Sequence, residues 1–170
     1  MRQPAGRALV ASIEGEYRRY KSLGENAINQ LPDAQLAEAA GSSNSIATIV
    51  WHVAGNLTSR FTDFLTSDGE KPWRDRDSEF LARQEKRAEL RAKWEEGWRV
   101  LFAALSALSD ADLAKTVTIR GQPHTVAEAL HRSLAHTSYH VGQIVFVAKA
   151  LRGADWRYLS IPPGQSSSIH

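Results

Sequence analysis

Residues 125–151, TVAEALHRSLAHTSYHVGQIVFVAKAL, form a long segment that contains no proline. Its apolar residues recur every three or four positions, and they are Val126, Leu130, Leu134, Val141, Ile144, Val145 and Ala148. This spacing predicts an amphipathic helix with one buried face. The helix is expected to end at Arg152 and Gly153, because glycine commonly follows the last turn of a helix.

Three further segments show the same periodicity, and the predicted helices span residues 5–23, 45–66 and 78–108. Gly24 is expected to end the first of them, and Asp75 or Asp77 to cap the third. Gly97, inside the third segment, indicates close packing or a bend.

The connection before the last helix carries a different pattern. Residues 116–119 alternate between polar and apolar side chains, which predicts a short β-hairpin, whereas residues 25–44 predict a short helical piece and a loop. The predicted fold class is therefore all-α, a four-helix bundle with a short hairpin or extended connection before the last helix. The whole chain, residues 1–170, is expected to be one domain, with an ordered core from about 5 to 161 and a loose C-terminal tail.

The composition excludes several classes of function. The formal net charge is only +2, which argues against a nucleic-acid partner. Cysteine is absent, so disulfides, thiolate ligands and a cysteine nucleophile are excluded, and any reactive thiol must come from a substrate. The sequence contains neither an apolar signal segment at its start nor a run of apolar residues long enough for a membrane span, so we expect a cytoplasmic protein without a membrane partner.

Two histidines in the last predicted helix, His136 and His140, are four residues apart. This spacing puts both imidazoles on one face of the helix, one turn apart, where they can reach the same point. Metal sites usually need a third protein ligand, and His52 in the second predicted helix is the obvious one. His131 is turned about 140° away from His136 around the helix, so we expect it not to be a ligand. We expect His124 and His170 to be exposed to solvent.

Polar residues accompany the histidines on both helices. A line of polar residues lies beside the apolar face of the second helix, namely His52, Asn56, Arg60 or Ser59, and Asp63. It indicates either that this side of the helix meets a cavity or the bundle interior, or that it is a solvated flank. On the last helix, the same kind of line consists of Glu128, Arg132, His136, His140 and Gln143.

These residues resemble the DinB-like family of metal-binding four-helix bundles, which includes YfiT-like metal-dependent hydrolases. The resemblance rests on the pattern His136-x-x-x-His140-x-Gly142-Gln143 together with a histidine in the middle of the second helix. The segments 44–47, 52–56, 60–73 and 159–162 resemble an uncharacterised branch of that superfamily. The resemblance implies a three-histidine metal site of His52, His136 and His140, and a homodimer.

The chain departs from many relatives at one position, because it has Thr137 where they carry a glutamate directly after the first histidine of the pair. A general base is therefore missing from its usual place, and Glu128 and Asp63 are the candidates to replace it as catalytic residues. The alternative is that these two carboxylates are structural partners of Arg132 and Arg60. Asn56, Arg60, Arg132 and Gln143 are candidates for substrate contacts or for support of the metal ligands, and Trp51 is a candidate for the pocket wall.

Three neutral imidazoles leave a metal ion with its full charge and an open coordination position, which suits catalysis. Imidazole ligands suit zinc, nickel, iron(II) or copper, and of these we expect zinc or nickel first. We therefore expect a metal-dependent enzyme that acts on a small molecule, either a hydrolase or a transferase of a low-molecular-weight thiol. The alternative is a non-catalytic metal-binding or stress-response bundle.

Overall fold

The computed structural model describes residues 6–84, 86–162 and 164–165. Within them the chain forms four long helices and one hairpin: α1 Ala8–Ile28, α2 Ile46–Phe61, α3 Arg87–Ser106, β1 Thr116–Ile119, β2 Gln122–Thr125 and α4 Val126–Arg152. Short 3-10 turns lie at Asp33–Ala37, Asp77–Phe80, Asp110–Ala114 and Gly153–Asp155. The predicted all-α four-helix bundle with a short hairpin before the last helix is confirmed. The predicted start of the first helix at residue 5 lies outside the described residues, as do residues 163 and 166–170 of the tail that was predicted to be loose, including His170.

The last helix, α4, begins and ends where its local sequence requires. The Thr125 hydroxyl accepts a hydrogen bond from the backbone N–H of Glu128, and the Glu128 carboxylate accepts one from the backbone N–H of Thr125 at 2.7 Å. This reciprocal pair satisfies two backbone donors that a helix start leaves free. At the other end, Gly153 has a φ of +60°, which a residue with a side chain rarely adopts.

The predicted end of the first helix at Gly24 is wrong, because α1 continues to Ile28. Gly24 is buried against the indole of Trp94 in α3, and a Cβ at this position would lie 3.1 Å from the ring. The glycine therefore allows two helices to approach each other. From sequence alone, a glycine that ends a helix cannot be distinguished from one that allows such a close contact.

The segment between α2 and α3 is longer than predicted. Helix α2 ends at Phe61 instead of residue 66, and Asp63 just beyond it has a φ of +48°, which is incompatible with a continuing right-handed helix. Helix α3 begins at Arg87 instead of residue 78. The residues between them turn back over α2, which places Glu79 in a buried position beside that helix.

Helices α2 and α3 approach so closely that their backbones almost touch. A Cβ added at Gly97 of α3 would lie 2.7 Å from the Cα of Ala54 in α2. Gly97 therefore marks close packing, which was one of its two predicted roles. One apolar cluster fills the bundle, and its largest fully buried side chains include Trp98, Tyr17 and Leu36.

The hairpin is fastened to the loop that follows α2. The backbone N–H of Gly69 donates to the Thr118 carbonyl at 2.8 Å, and the Asp68 carboxylate accepts from the backbone N–H groups of Arg120 and Gly121 at 2.9 and 2.8 Å. These bonds hold the hairpin over the end of α2, where it covers one side of a cavity. In the described part of the chain, no helix combines the length and apolar character that crossing a bilayer requires.

Candidate metal centre

The three predicted histidine ligands converge. His52 lies in the middle of α2, and His136 and His140 lie one turn apart on α4. The Nε2 atom of His136 is 3.2 Å from Nε2 of His52 and 3.2 Å from Nε2 of His140. Three ring nitrogens from two helices are thus gathered within 4.8 Å of one another.

These separations match what a shared metal ion requires. Imidazole nitrogens bind zinc at about 2.0–2.1 Å, so two of them in a tetrahedral arrangement lie roughly 3.3–3.4 Å apart. The observed nitrogen separations are close to that distance. The donor set, three imidazoles and no thiolate, suits a divalent transition metal.

The opposite ring nitrogens of two histidines are held by hydrogen bonds. Nδ1 of His52 lies 2.8 Å from a carboxylate oxygen of Glu79, which can only accept, so this nitrogen carries the proton. Nδ1 of His140 lies 2.7 Å from Oε1 of Gln143, which likewise accepts. In the neutral tautomer with Nδ1 protonated, each ring turns the lone pair of Nε2 towards the centre, which is the form that binds a metal. Nδ1 of His136 is buried without a hydrogen-bond partner among the described residues.

Burial keeps the histidines of α4 neutral. Loss of solvent, together with the charges of the neighbouring His140 and His52, lowers the pKa of His136 to about 3. Burial also lowers the pKa of His140, against the opposing hydrogen bond to Gln143. Near neutral pH both rings are thus neutral, and each keeps one unprotonated nitrogen for which protons do not compete with a metal.

Glu79 supports the centre and was missed by the sequence analysis. It is 4% exposed and accepts hydrogen bonds from His52 and from two guanidinium nitrogens of Arg74, at 2.8 and 2.9 Å. Burial raises the pKa of Glu79, but the bonds from His52 and Arg74 outweigh this effect and lower it, so the carboxylate stays ionised. The sequence feature that reflects this contact is Gly55, a glycine inside the second predicted helix. A Cβ at this position would lie 2.8 Å from Cδ of Glu79, so the glycine leaves room for that carboxylate.

The histidines open onto a cavity of about 360 Å³ between α2, α4, the hairpin and the loop after α2. Of the predicted supporting residues, Asn56, Arg60 and Arg132 line this cavity, whereas Gln143 contacts His140 instead. Trp51 does not line the cavity, and its ring is covered by the guanidinium group of Arg83, 4.2 Å from the ring centroid.

The two predicted catalytic carboxylates lie away from the cavity wall. Glu128 is exposed and caps the start of α4, and Asp63 is exposed just beyond the end of α2. The geometry therefore offers no support for either as a general base. The carboxylate that pairs with Arg60 is Glu70, at 3.5 Å, and within the described ranges Arg132 forms no ion pair.

Three other residues considered from sequence, Thr137, His131 and His124, do not contribute a ring nitrogen to the histidine cluster. Thr137 is fully buried, and its hydroxyl has no hydrogen-bond partner in the described segments. His131 is exposed and His124 is partly exposed in the hairpin, and neither belongs to the cluster of ring nitrogens.

Comparison with known proteins gives the chain a family. No curated protein matches the sequence. A family model described as "Protein of unknown function (DUF1572)" matches residues 5–165, which is nearly the whole chain. The chain therefore belongs to the DUF1572 family.

Proposed function

We propose that this protein is a metal-dependent enzyme of the DinB-like superfamily that acts on a small molecule. The observation that carries the proposal is the convergence of three ring nitrogens, all within 4.8 Å of one another, on a cavity large enough for a small molecule. His52, His136 and His140 would hold the ion, with zinc or nickel as the expected metal. A homodimer and a single-domain chain remain predictions.

A bound divalent ion supplies Lewis acidity, which makes a water molecule or a thiol a better nucleophile near neutral pH. The protein's own contribution is to keep the ligands neutral and correctly oriented. Glu79 fixes the ring of His52, and Gln143 fixes that of His140.

Transfer of a low-molecular-weight thiol is the version that we favour over hydrolysis. No carboxylate of the described residues lines the cavity, so a general base for activating water has no counterpart there. A thiol is far more acidic than water and ionises beside a cation without such a base. Because the chain has no cysteine, the reactive sulfur would arrive with the cosubstrate.

The metal site is tested by the metal content of protein purified without an affinity tag. We expect about one equivalent of zinc or nickel in the wild type and a large loss in His52→Ala and His140→Ala. His131→Ala, which changes an exposed histidine of the same helix, is the matched control and should keep its metal. Unchanged metal content in both ligand variants would refute the triad.

Turnover is tested by thiol-conjugation, esterase and amidase assays with and without a chelator. We expect activity that the chelator removes and that zinc or nickel restores. Full metal occupancy without activity on any substrate would favour the non-catalytic metal-binding bundle.

A further inference from the structure

The cavity beside the three histidines is lined by arginines. Five guanidinium groups contribute to its wall, and they belong to Arg60, Arg74, Arg76, Arg120 and Arg132. They come from α2, α4, the hairpin turn and the loop after α2, so residues far apart in sequence put the same charge on one cavity. Among the described residues, the wall includes no carboxylate to balance them.

The carboxylates behind the wall are shared by several of these arginines. The Glu79 carboxylate accepts hydrogen bonds from Arg74 and His52. Glu70 pairs with Arg120 at 3.0 Å, with Arg60 at 3.5 Å and with Arg74 at 3.7 Å. Arg76 pairs with Asp77 at 3.8 Å. Glu70 thus serves three guanidinium groups, and among the described residues the five arginines outnumber the carboxylates that pair with them.

Arg60 and Arg132 have unused capacity for hydrogen bonding. Nη1 of Arg60 is buried and, within the described segments, has no hydrogen-bond partner. Burial lowers the pKa of Arg60, and the charges of Arg74, Arg120 and Arg132 lower it further against the opposing effect of Glu70. Arg132 is exposed at the cavity and forms no ion pair with any described residue. Both groups would be stabilised by an anion in the cavity.

Beside the polar side chains of Asn56, Thr118 and Ser133, the wall has an apolar part. Three aromatic rings line it, and they belong to Phe61, Phe64 and Phe80. Val117, Ile119 and Ala129 extend the same surface. A ligand that suits this cavity therefore combines an anionic group with a compact apolar body.

We propose that the cavity binds a small organic anion, with its carboxylate or phosphate held by Arg60, Arg120 and Arg132 and its apolar body against the phenylalanines. Guanidinium groups suit this task, because their planar donors pair with two oxygens of a carboxylate or phosphate at once. Because the three histidines line the same cavity, a ligand bound in this way lies beside the histidine cluster. The inference that such an anion is the substrate rests on the proposed function. Binding of the anion by the arginines does not require the metal.

Calorimetric titration of the metal-free protein with matched probes tests the binding. Phenylacetate carries the charge and the ring, phenylacetamide carries only the ring, and phenyl phosphate replaces the head group. We expect phenylacetate or phenyl phosphate to bind at least tenfold more tightly than the amide, with the tighter of the two identifying the preferred head group. Equal affinity for phenylacetate and phenylacetamide would overturn the proposal.

Substitutions identify the groups responsible. Arg132→Gln and Arg120→Gln should each weaken binding of the preferred anion by roughly tenfold, as expected for loss of a charge-assisted hydrogen bond. Arg99→Gln removes an exposed arginine of α3 that does not line the cavity, and it should leave the affinity unchanged. If both cavity variants bind the anion as tightly as Arg99→Gln does, the arginines are not the anion site.

The same titration on His140→Ala separates this inference from the proposed function. Loss of metal with retained anion binding supports an arginine site that is independent of the metal. Anion binding that requires zinc and disappears with His140 would instead assign the anion to the ion and overturn the arginine site.

Discussion

Nδ1 of His52 in α2 lies 2.8 Å from a carboxylate oxygen of Glu79, and both side chains are almost fully buried. The other oxygen of Glu79 accepts a hydrogen bond from Arg74. A hydrogen-bonded chain of three residues therefore runs from the loop after α2 to the cluster of ring nitrogens. Such outer hydrogen bonds orient metal ligands and raise their basicity.

Glu79→Gln should lower zinc affinity by roughly 10- to 100-fold, because the neutral amide no longer increases the basicity of His52. Competition with a chromophoric zinc chelator measures this affinity, and circular dichroism checks that the variant folds. Glu96→Gln changes an exposed carboxylate of α3 and should behave like the wild type. Wild-type affinity in folded Glu79→Gln would show that the carboxylate does not support the site.

Gly55→Ala should also weaken zinc binding, although alanine is the better helix former by about 1 kcal/mol. A Cβ at Gly55 would displace Glu79 from His52, since it would lie 2.8 Å from Cδ of Glu79. Gly15→Ala, in the middle of α1, is the matched control because its Cβ would meet nothing within 4 Å. The same chelator competition applies, and equal affinities in the two variants would contradict the proposed contact.

Gly97→Ala should destabilise the fold by about 1–3 kcal/mol, the usual cost of overpacking. Its Cβ would lie 2.7 Å from the Cα of Ala54 and 2.9 Å from its carbonyl oxygen, so the two backbones must separate. Urea unfolding measures the free energy of unfolding, with Gly15→Ala again as the control. An unchanged midpoint in Gly97→Ala would mean that α2 and α3 pack less closely than described.

Acid should destabilise the metal-free protein through His136. Its pKa falls from 6.5 to about 3 on folding, mainly because the ring is buried, so the unfolded chain binds the extra proton between these values. The free energy of unfolding is therefore not reduced by this histidine above pH 6.5, and it decreases as the pH falls from 6.5 towards 3. Unfolding measured at several pH values should show a shallower loss in His136→Asn than in the wild type. His131→Asn should keep the wild-type slope, and equal slopes for wild type and His136→Asn would contradict this role.

The local features of the chain could be predicted from sequence. Helical periodicity and caps depend on residues a few positions apart, so the four helices, the hairpin and the paired face of His136 and His140 were all accessible. The residues at which these helices end, and the contacts between them, could not be predicted in the same way. A glycine in a helix indicates either a stop or a close contact, and Gly24 has the second role because Trp94 packs against it.

The sequence by itself therefore determined the four helices, the absence of thiol chemistry in the chain and the two-histidine face of α4. Only the tertiary structure decided what surrounds that face. Glu79 is 27 residues from His52, in a segment predicted as the start of a helix that instead forms a short 3-10 turn, and its position depends on a buried ion pair with Arg74 that no local rule describes. The arginines of the cavity likewise come from separate elements, so their shared charge exists only once those elements are packed together.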